Sequence, residues 1–232
     1  MNKNTCFVIL LKHQKQTNRT NQTNALSKFY YSLVKKQVQN ISKFYPKSKI
    51  IVTGDNHLDY EFYEIIQHNK KITHCRKQYN EFSNCGEYIQ NVINIIPNNT
   101  AICIFDSSLV FDPKIMNQNI FKKTSVLSST SKKFESKIGC TLDSKSNIEF
   151  VFYDLDNKLC ELIYIKPQDI AYFKNIINHH VNNNMYLFEI MNTLINHSIE
   201  LNINFIKENV VHFNTEEQID KTQRLLRKIT NY

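Results

Sequence analysis

Thr100-Ala-Ile-Cys-Ile-Phe-Asp106 is the stretch on which the reading of this chain turns. Five consecutive apolar residues, with no alternation and with polar residues at both ends, are too few for a helix. They suit a strand buried on both faces, and this one delivers a carboxylate at its carboxyl end. Three upstream runs have the same character: Cys6–Leu11, Lys49-Ile-Ile-Val-Thr-Gly54 and Ile72-Thr-His-Cys75. Between them lie segments of helical spacing. Leu26 to Phe44 places Leu26, Tyr30, Leu33, Val34, Val38 and Ile41 on one stripe and is stopped by Pro46. Tyr60–Ile66 and Glu87–Ile96 are shorter, the latter ended by Pro97-Asn-Asn. The polar stretch from Lys12 to Asn24 reads as a loop. This β-α-β-α-β-α-β order predicts an α/β chain with a parallel sheet and helices on both faces. In such sheets ligands bind beyond the carboxyl ends of the strands. The places to watch are the loop after Leu11, the region of Gly54, and Asp106.

Downstream the pattern changes. Thr124–Ser128 and Ile138–Leu142 read as strands, and Ile148–Tyr153 and Leu159–Ile165 as a pair around the turn Asp154-Leu-Asp-Asn157. Helices are expected at Pro167–His179 and Tyr186–Asn196, late strands at Asn204–Ile206 and Val210–Phe213, and a closing helix at Glu216–Lys228. Neither an internal repeat nor a linker separates the halves. The expectation is one domain over 1–232: a nucleotide-binding half (1–116) and a smaller α+β acceptor-side half (117–232).

Composition narrows the function classes. With 232 residues, 41% of them hydrophobic, the chain can bury a full core and is not a disordered segment. A net charge of +8 favours anionic partners. The lysines are scattered in pairs such as Lys35-Lys36 and Lys122-Lys123, which reads as a solvated surface and makes a nucleic-acid groove unlikely. Six cysteines form no CxxC pair and have no zinc-ligand spacing with histidine, so buried reduced thiols in a cytoplasmic protein are expected. No apolar run reaches membrane-spanning length.

Several segments, in order along nearly the whole chain, carry a resemblance. Val34-Lys-Lys-Gln-Val running to Ile-Ile-Val-Thr-Gly54 resembles the helix and the strand ending in Thr-Gly of sugar- and choline-phosphate nucleotidyltransferases. Tyr79-Asn-Glu-Phe-Ser-Asn-Cys-Gly86 is similar to their Asn- and Ser-bearing loop, and Ile104-Phe-Asp-Ser-Ser-Leu-Val-Phe-Asp-Pro113 to their metal-site strand end. Val211-His-Phe-Asn-Thr-Glu-Glu-Gln-Ile219 resembles the closing motif, and Leu187-Phe-Glu-Ile-Met-Asn192 is also familiar. The resemblance implies a Rossmann-like, GT-A-type mixed sheet flanked by helices. It also implies transfer of a nucleotidyl group from an NTP to a phosphorylated small-molecule acceptor, a sugar or an alcohol, with Mg²⁺ (or Mn²⁺). Under it, Asp106, Ser108 and Asn214 stand at the metal position, with Asp106 and Lys28 as catalytic candidates. Lys12, Lys15, Arg19, Gly54, Ser83 and Asn84 are nucleotide-binding candidates, and Glu189 faces the acceptor.

The chain also departs from that pattern. No Gly follows the first strand, where Lys12-His-Gln-Lys-Gln-Thr-Asn-Arg19 offers charge but no Gly backbone to cradle a triphosphate. Ser108 stands where the principal Asp is expected, with Asp106 two residues earlier on the same strand face. Plainer readings accompany the candidates. Asp106 suits a turn, Asn214-Thr-Glu-Glu217 a helix N-cap, Ser83–Gly86 an ordinary turn and Glu189 a surface helix. His179, His180 and His212 lack partners at ligand spacing. Three functions therefore stay open: nucleotidyl transfer, glycosyl transfer from a nucleotide-sugar, and a non-catalytic module retaining the fold.

Overall fold

In the computed structural model the described residues are 5–11, 22–54, 70–76, 84–112, 115, 121–130, 134, 136–207, 210–212 and 222–224, the side chains of 22–31 and of Arg76 excepted. The first half runs β1 (Thr5–Leu10), α1 (Gln22–Phe44), β2 (Lys49–Gly54), β3 (Ile72–Arg76), α2 (Cys85–Ile93), β4 (Ala101–Asp106) and β5 (Leu109–Phe111). The second runs β6 (Ser125–Ser129), β7 (Ile138–Leu142), β8 (Ile148–Tyr153), β9 (Asn157–Ile165), a 3₁₀ turn at Pro167–Asp169, α3 (Ile170–His180), α4 (Leu187–Asn196), β10 (Asn202–Ile206) and β11 (Val210–His212). The expected helix at Tyr60–Ile66 lies outside the described residues, as does the expected Glu216–Lys228 helix apart from 222–224, which are helical.

The fully apolar runs become the centre of the sheet, as their lack of alternation demands. Strand order is β10-β6-β9-β4-β1-β2-β3. β3, β2, β1 and β4 are mutually parallel, β9 is antiparallel to both β4 and β6, and β10 runs parallel to β6. The α/β reading therefore holds, and the second half extends the same sheet as a mixed one. The pairing expected for Ile148–Tyr153 with Leu159–Ile165 does not form. β8 bonds to β7, and β7 in turn bonds to the first residues of β9. β9 can serve both groups because it bulges: Val126 pairs with Ile163 and Ser128 with Leu159, so two steps along β6 face four along β9. Within that bulge Glu161 has φ +48°.

Two apolar layers hold the sheet. On one face, Val34, Val38 and Ile41 of α1 pack on Phe7, Ile9, Ile50, Val52, Cys103 and Phe105. The i, i+4, i+7 spacing explains why this helix buries that side. Each such side chain contributes about 1.5–3 kcal/mol by leaving water, so Ile41→Ala costs about 2–5 kcal/mol. On the other face, α2, α3 and α4 cover Val8, Leu10, Ile102, Ile104, Ile163 and Ile165 with Ile89, Val92, Phe173, Ile177, Leu187 and Met191. Among the described residues no helix is long and apolar enough to cross a membrane, and the six cysteines are free thiols.

Candidate functional site

The chain winds from β1 outward through β2 to β3, then returns across the sheet to place β4 on the other side of β1. The reversal makes β1 and β4 the topological switch point of the sheet, and open α/β sheets bind their ligands in the crevice beyond the carboxyl ends of the strands at such a point. In the β1–β4 register Leu10 pairs with Asp106, so the carboxylate of β4 stands at that switch point. The apolar run before it fixes the strand, and its end fixes the acid.

Asp106, Ser107 and Ser108 are all buried, at 7%, 0% and 1% exposure. Ser107 N donates to Leu10 O at 2.9 Å, carrying the parallel ladder one step past the strand. Ser108 donates twice to Asp106 Oδ1, from its backbone N at 2.7 Å and from Oγ at 2.5 Å. The plainer turn reading of Asp106 is therefore realised, by an Asx-type turn that leads into β5. Both bonds end on Oδ1, so Oδ2 is the oxygen not committed to that turn. Ser108, which the resemblance sets at the metal position, is here a hydrogen-bond partner of Asp106.

The turn is held from two further sides. Gln37 of α1 is buried, and its Nε2 donates to Leu109 O. Its Oε1 is buried without a hydrogen-bond partner among the described residues. A polar residue on the Val34–Val38–Ile41 stripe was the sequence signal for this contact. β11 pairs antiparallel with β5, His212 opposite Leu109 and Val210 opposite Phe111. β11 thus runs toward Ser108 and ends, at buried His212, beside the turn. Asn214 lies outside the described residues.

The other candidates fall in several places. Gly54 ends β2 at φ +147°, where Leu11 N donates to Thr53 O at 2.8 Å. A Cβ there would lie 2.4 Å from Leu11 Cβ, so only glycine lets β1 and β2 close at their carboxyl ends. Asn84 Nδ2 donates to Asn184 O at 2.8 Å. The amides of Asn84 and Glu87 go to Asn183 O, and that of Gly86 to Met185 O. The start of α2 is thereby satisfied by the loop between α3 and α4. Glu189 accepts from Tyr186 N at 2.7 Å, closing a capping box at the start of α4. Lys12, Lys15, Arg19, Ser83 and the side chain of Lys28 lie outside the described residues.

The comparisons bear on this arrangement as a whole. The inositol-1-phosphate CTP transferase of T. maritima superposes with a TM-score of 0.72 at 9% identity, over 97% of this chain and 96% of that one. A nucleoside-diphosphate-sugar pyrophosphorylase from Vibrio cholerae gives 0.68 at 10%, over 94% and 99%. HddC from Yersinia pseudotuberculosis, complexed with GMP-PN, gives 0.60 at 13%, over 95% and 98%. The chain has the nucleotidyltransferase fold. At these identities the likeness is one of architecture, carried by strand order and core pattern. No protein-family model matches the sequence, and no curated protein sequence does. Within the nucleotidyltransferase fold seen here, Asp106, Ser108 and Gly54 converge on one end of the sheet, whereas Asn84 and Glu189 are engaged in fastening helix starts.

Proposed function

We propose that this protein transfers a nucleotidyl group from a nucleoside triphosphate to a phosphorylated sugar or alcohol, with Mg²⁺ as cofactor. The observation that carries the reading is Asp106, a buried carboxylate at the switch point of a nucleotidyltransferase fold. In the reaction an acceptor phosphate oxygen attacks the α-phosphorus, forming one P–O bond. The bond from that phosphorus to the oxygen bridging to the β-phosphate breaks, and pyrophosphate leaves with the electron pair. Positioning and charge neutralisation supply most of such catalysis.

The donor chemistry of the crevice fits the cation. Mg²⁺ takes oxygen ligands and is usually held by one or two carboxylates plus substrate phosphates. Asp106 Oδ2 is an oxygen of that kind, and the reading adds Asn214 after β11. A bound divalent cation there would neutralise charge on the phosphate oxygens. Among the described residues no group of three or more His, Cys, Asp or Glu side chains could hold a metal ion. Ser108 keeps the carboxylate oriented, Gln37 fixes the strand after it, and Gly54 lets the floor of the crevice close. Lys12, Lys15 and Arg19, with Lys28, would supply positive charge to the phosphates.

Calorimetric titration of the four common NTPs and several NDP-sugars, with and without Mg²⁺, tests the reading. Mg²⁺-dependent binding of one NTP, weakened at least tenfold in Asp106→Ala, is expected. Binding of an NDP-sugar alone would favour glycosyl transfer. Binding of none would favour a non-catalytic module, for which the engagement of Asp106 Oδ1 by Ser108 is the specific support.

A further inference from the structure

A half-buried antiparallel strand ordinarily shows polar residues to water, and β8 does the opposite. Its buried positions are Ile148 and Val151, while Phe150, Phe152 and Tyr153 stand 48%, 47% and 43% exposed. Tyr186, just before α4, is 52% exposed. These rings meet around Phe188, which is buried. Phe150 stacks on Phe152 with centroids 5.9 Å apart and planes at 18°, and Tyr186 on Phe188 at 6.0 Å and 11°. Phe152 and Tyr153 each meet the Phe188 ring edge to face, at 6.2 and 5.1 Å. A strand and the start of a helix thus build one continuous aromatic surface. Among the described residues most of the exposed large apolar side chains gather here. Scattered apolar residues need no account, but a contiguous patch marks a place where something binds.

Size, edge and charge together name the occupant. An aromatic side chain buries roughly 150–250 Å², so four half-exposed rings offer roughly 400 Å². Each partner in a stable protein–protein contact brings about 800 Å², an apolar centre with a polar rim around it. The middle of the β8 edge is closed to an added strand, because Asn192 takes both Val151 N and Val151 O. A partner therefore meets rings and not backbone. The rim carries both signs. Phe152 pairs with Gly139 and Gly139 with Lys158, which lies 4.0 Å from Asp154. Glu149, beside Phe150, and Lys137, whose carbonyl accepts from Asp154 N, are exposed. On a chain of net charge +8, a face with a balanced rim is where two copies approach with least repulsion. An anionic lipid surface would instead call for lysines in excess around the rings. A two-fold axis through the patch sets the lysines of one copy against the acids of the other.

We propose that the aromatic surface of β8 and the start of α4 joins two copies of this chain in a two-fold symmetric dimer, ring against ring. The contact needs neither nucleotide nor metal, so it stands or falls apart from nucleotidyl transfer.

Sedimentation of the full chain across the micromolar range, without nucleotide or metal, is the test. A monomer–dimer equilibrium is expected, tightened by added salt because two like-charged copies repel at low ionic strength. Phe152→Lys and Phe152→Glu should each weaken it at least tenfold. Mixed in equal amounts, the two variants should dimerise with one another, since opposite charges then meet across the axis. Tyr186→Ser, on the other element, should weaken association as well. Phe205→Ser, which removes an equally exposed ring from β10, should leave it unchanged. Circular dichroism should show each variant folded, because every altered side chain is about half in water. A chain that stays monomeric throughout, or a dimer indifferent to Phe152 and Tyr186, overturns the proposal. A monomeric chain that binds anionic vesicles through these rings overturns it too, and gives the patch to a lipid surface.

Discussion

Ser108 shows how one side chain can alter a site without altering its fold. Its hydroxyl and amide both bond Asp106 Oδ1, and the residue is buried. Ser108→Asp would place a second carboxylate against the first in a desolvated turn. Without divalent ions this variant is expected to melt several degrees below the unaltered protein, since a buried unpaired charge is costly. Millimolar Mg²⁺ should restore most of the difference. A melt that ignores Mg²⁺ would count against a cation site in this crevice. Gly54 offers the complementary case, in which what matters is an absent side chain. A Cβ 2.4 Å from that of Leu11, at φ +147°, strains Gly54→Ala twice over, once by contact and once by conformation. Denaturant unfolding should report a loss of at least about 2 kcal/mol. The Thr-Gly motif would then be explained by the closing of two strands, whatever nucleotide binds above them.

Among the elements, α4 has two fastening duties, both read off single residues. Glu189 caps its own helix start through Tyr186 N. Glu189→Ala is expected to lower stability by about 1 kcal/mol. If Glu189 also faces the acceptor, acceptor affinity falls as well, and an unchanged affinity assigns the residue to the cap alone. Asn192, at the end of the Leu187–Asn192 segment, covers the outer edge of β8. Its Oδ1 accepts from Val151 N at 2.9 Å and its Nδ2 donates to Val151 O at 2.8 Å. That edge carries exposed Phe150, Phe152 and Tyr153, the combination that invites strand pairing between molecules. Asn192→Ala leaves both backbone groups unpaired. It should cost about 1–3 kcal/mol and raise light scattering on standing, whereas a stable, monodisperse variant would show the edge to be protected by other means.

For the whole molecule, the buried thiols and phenols set the alkaline limit. Burial raises Cys140 to about 11 and Cys6 and Tyr164 to about 12, and holds Cys103 well above its ordinary value. These groups stay protonated in the folded chain after their unfolded counterparts, which for the thiols ionise near 9, have lost their protons. The folded state then binds more protons than the unfolded one, so stability falls as pH rises. Thermal melts should be level with respect to these groups below pH 9 and decline from pH 9 to about 12. A melt unaffected across that window would mean that the thiols are reachable in the native state, as alkylation at neutral pH would independently show.

The sequence by itself determined the parallel half of the sheet, because runs such as Cys6–Leu11 and Ala101–Asp106 have no polar face and can only be buried on both sides. It also placed Asp106 at a strand end, since the apolar run stops there. Only the tertiary structure decided which strands meet. Nothing local tells β8 to leave β9 for β7, β5 to find β11 a hundred residues later, or Gln37 to reach Leu109. These contacts depend on what the rest of the chain leaves unpaired. Phe105 and Leu162 lie far apart in the chain, and they become neighbours because β9 enters the sheet antiparallel, a choice made by the packing of the whole and by no motif along the chain.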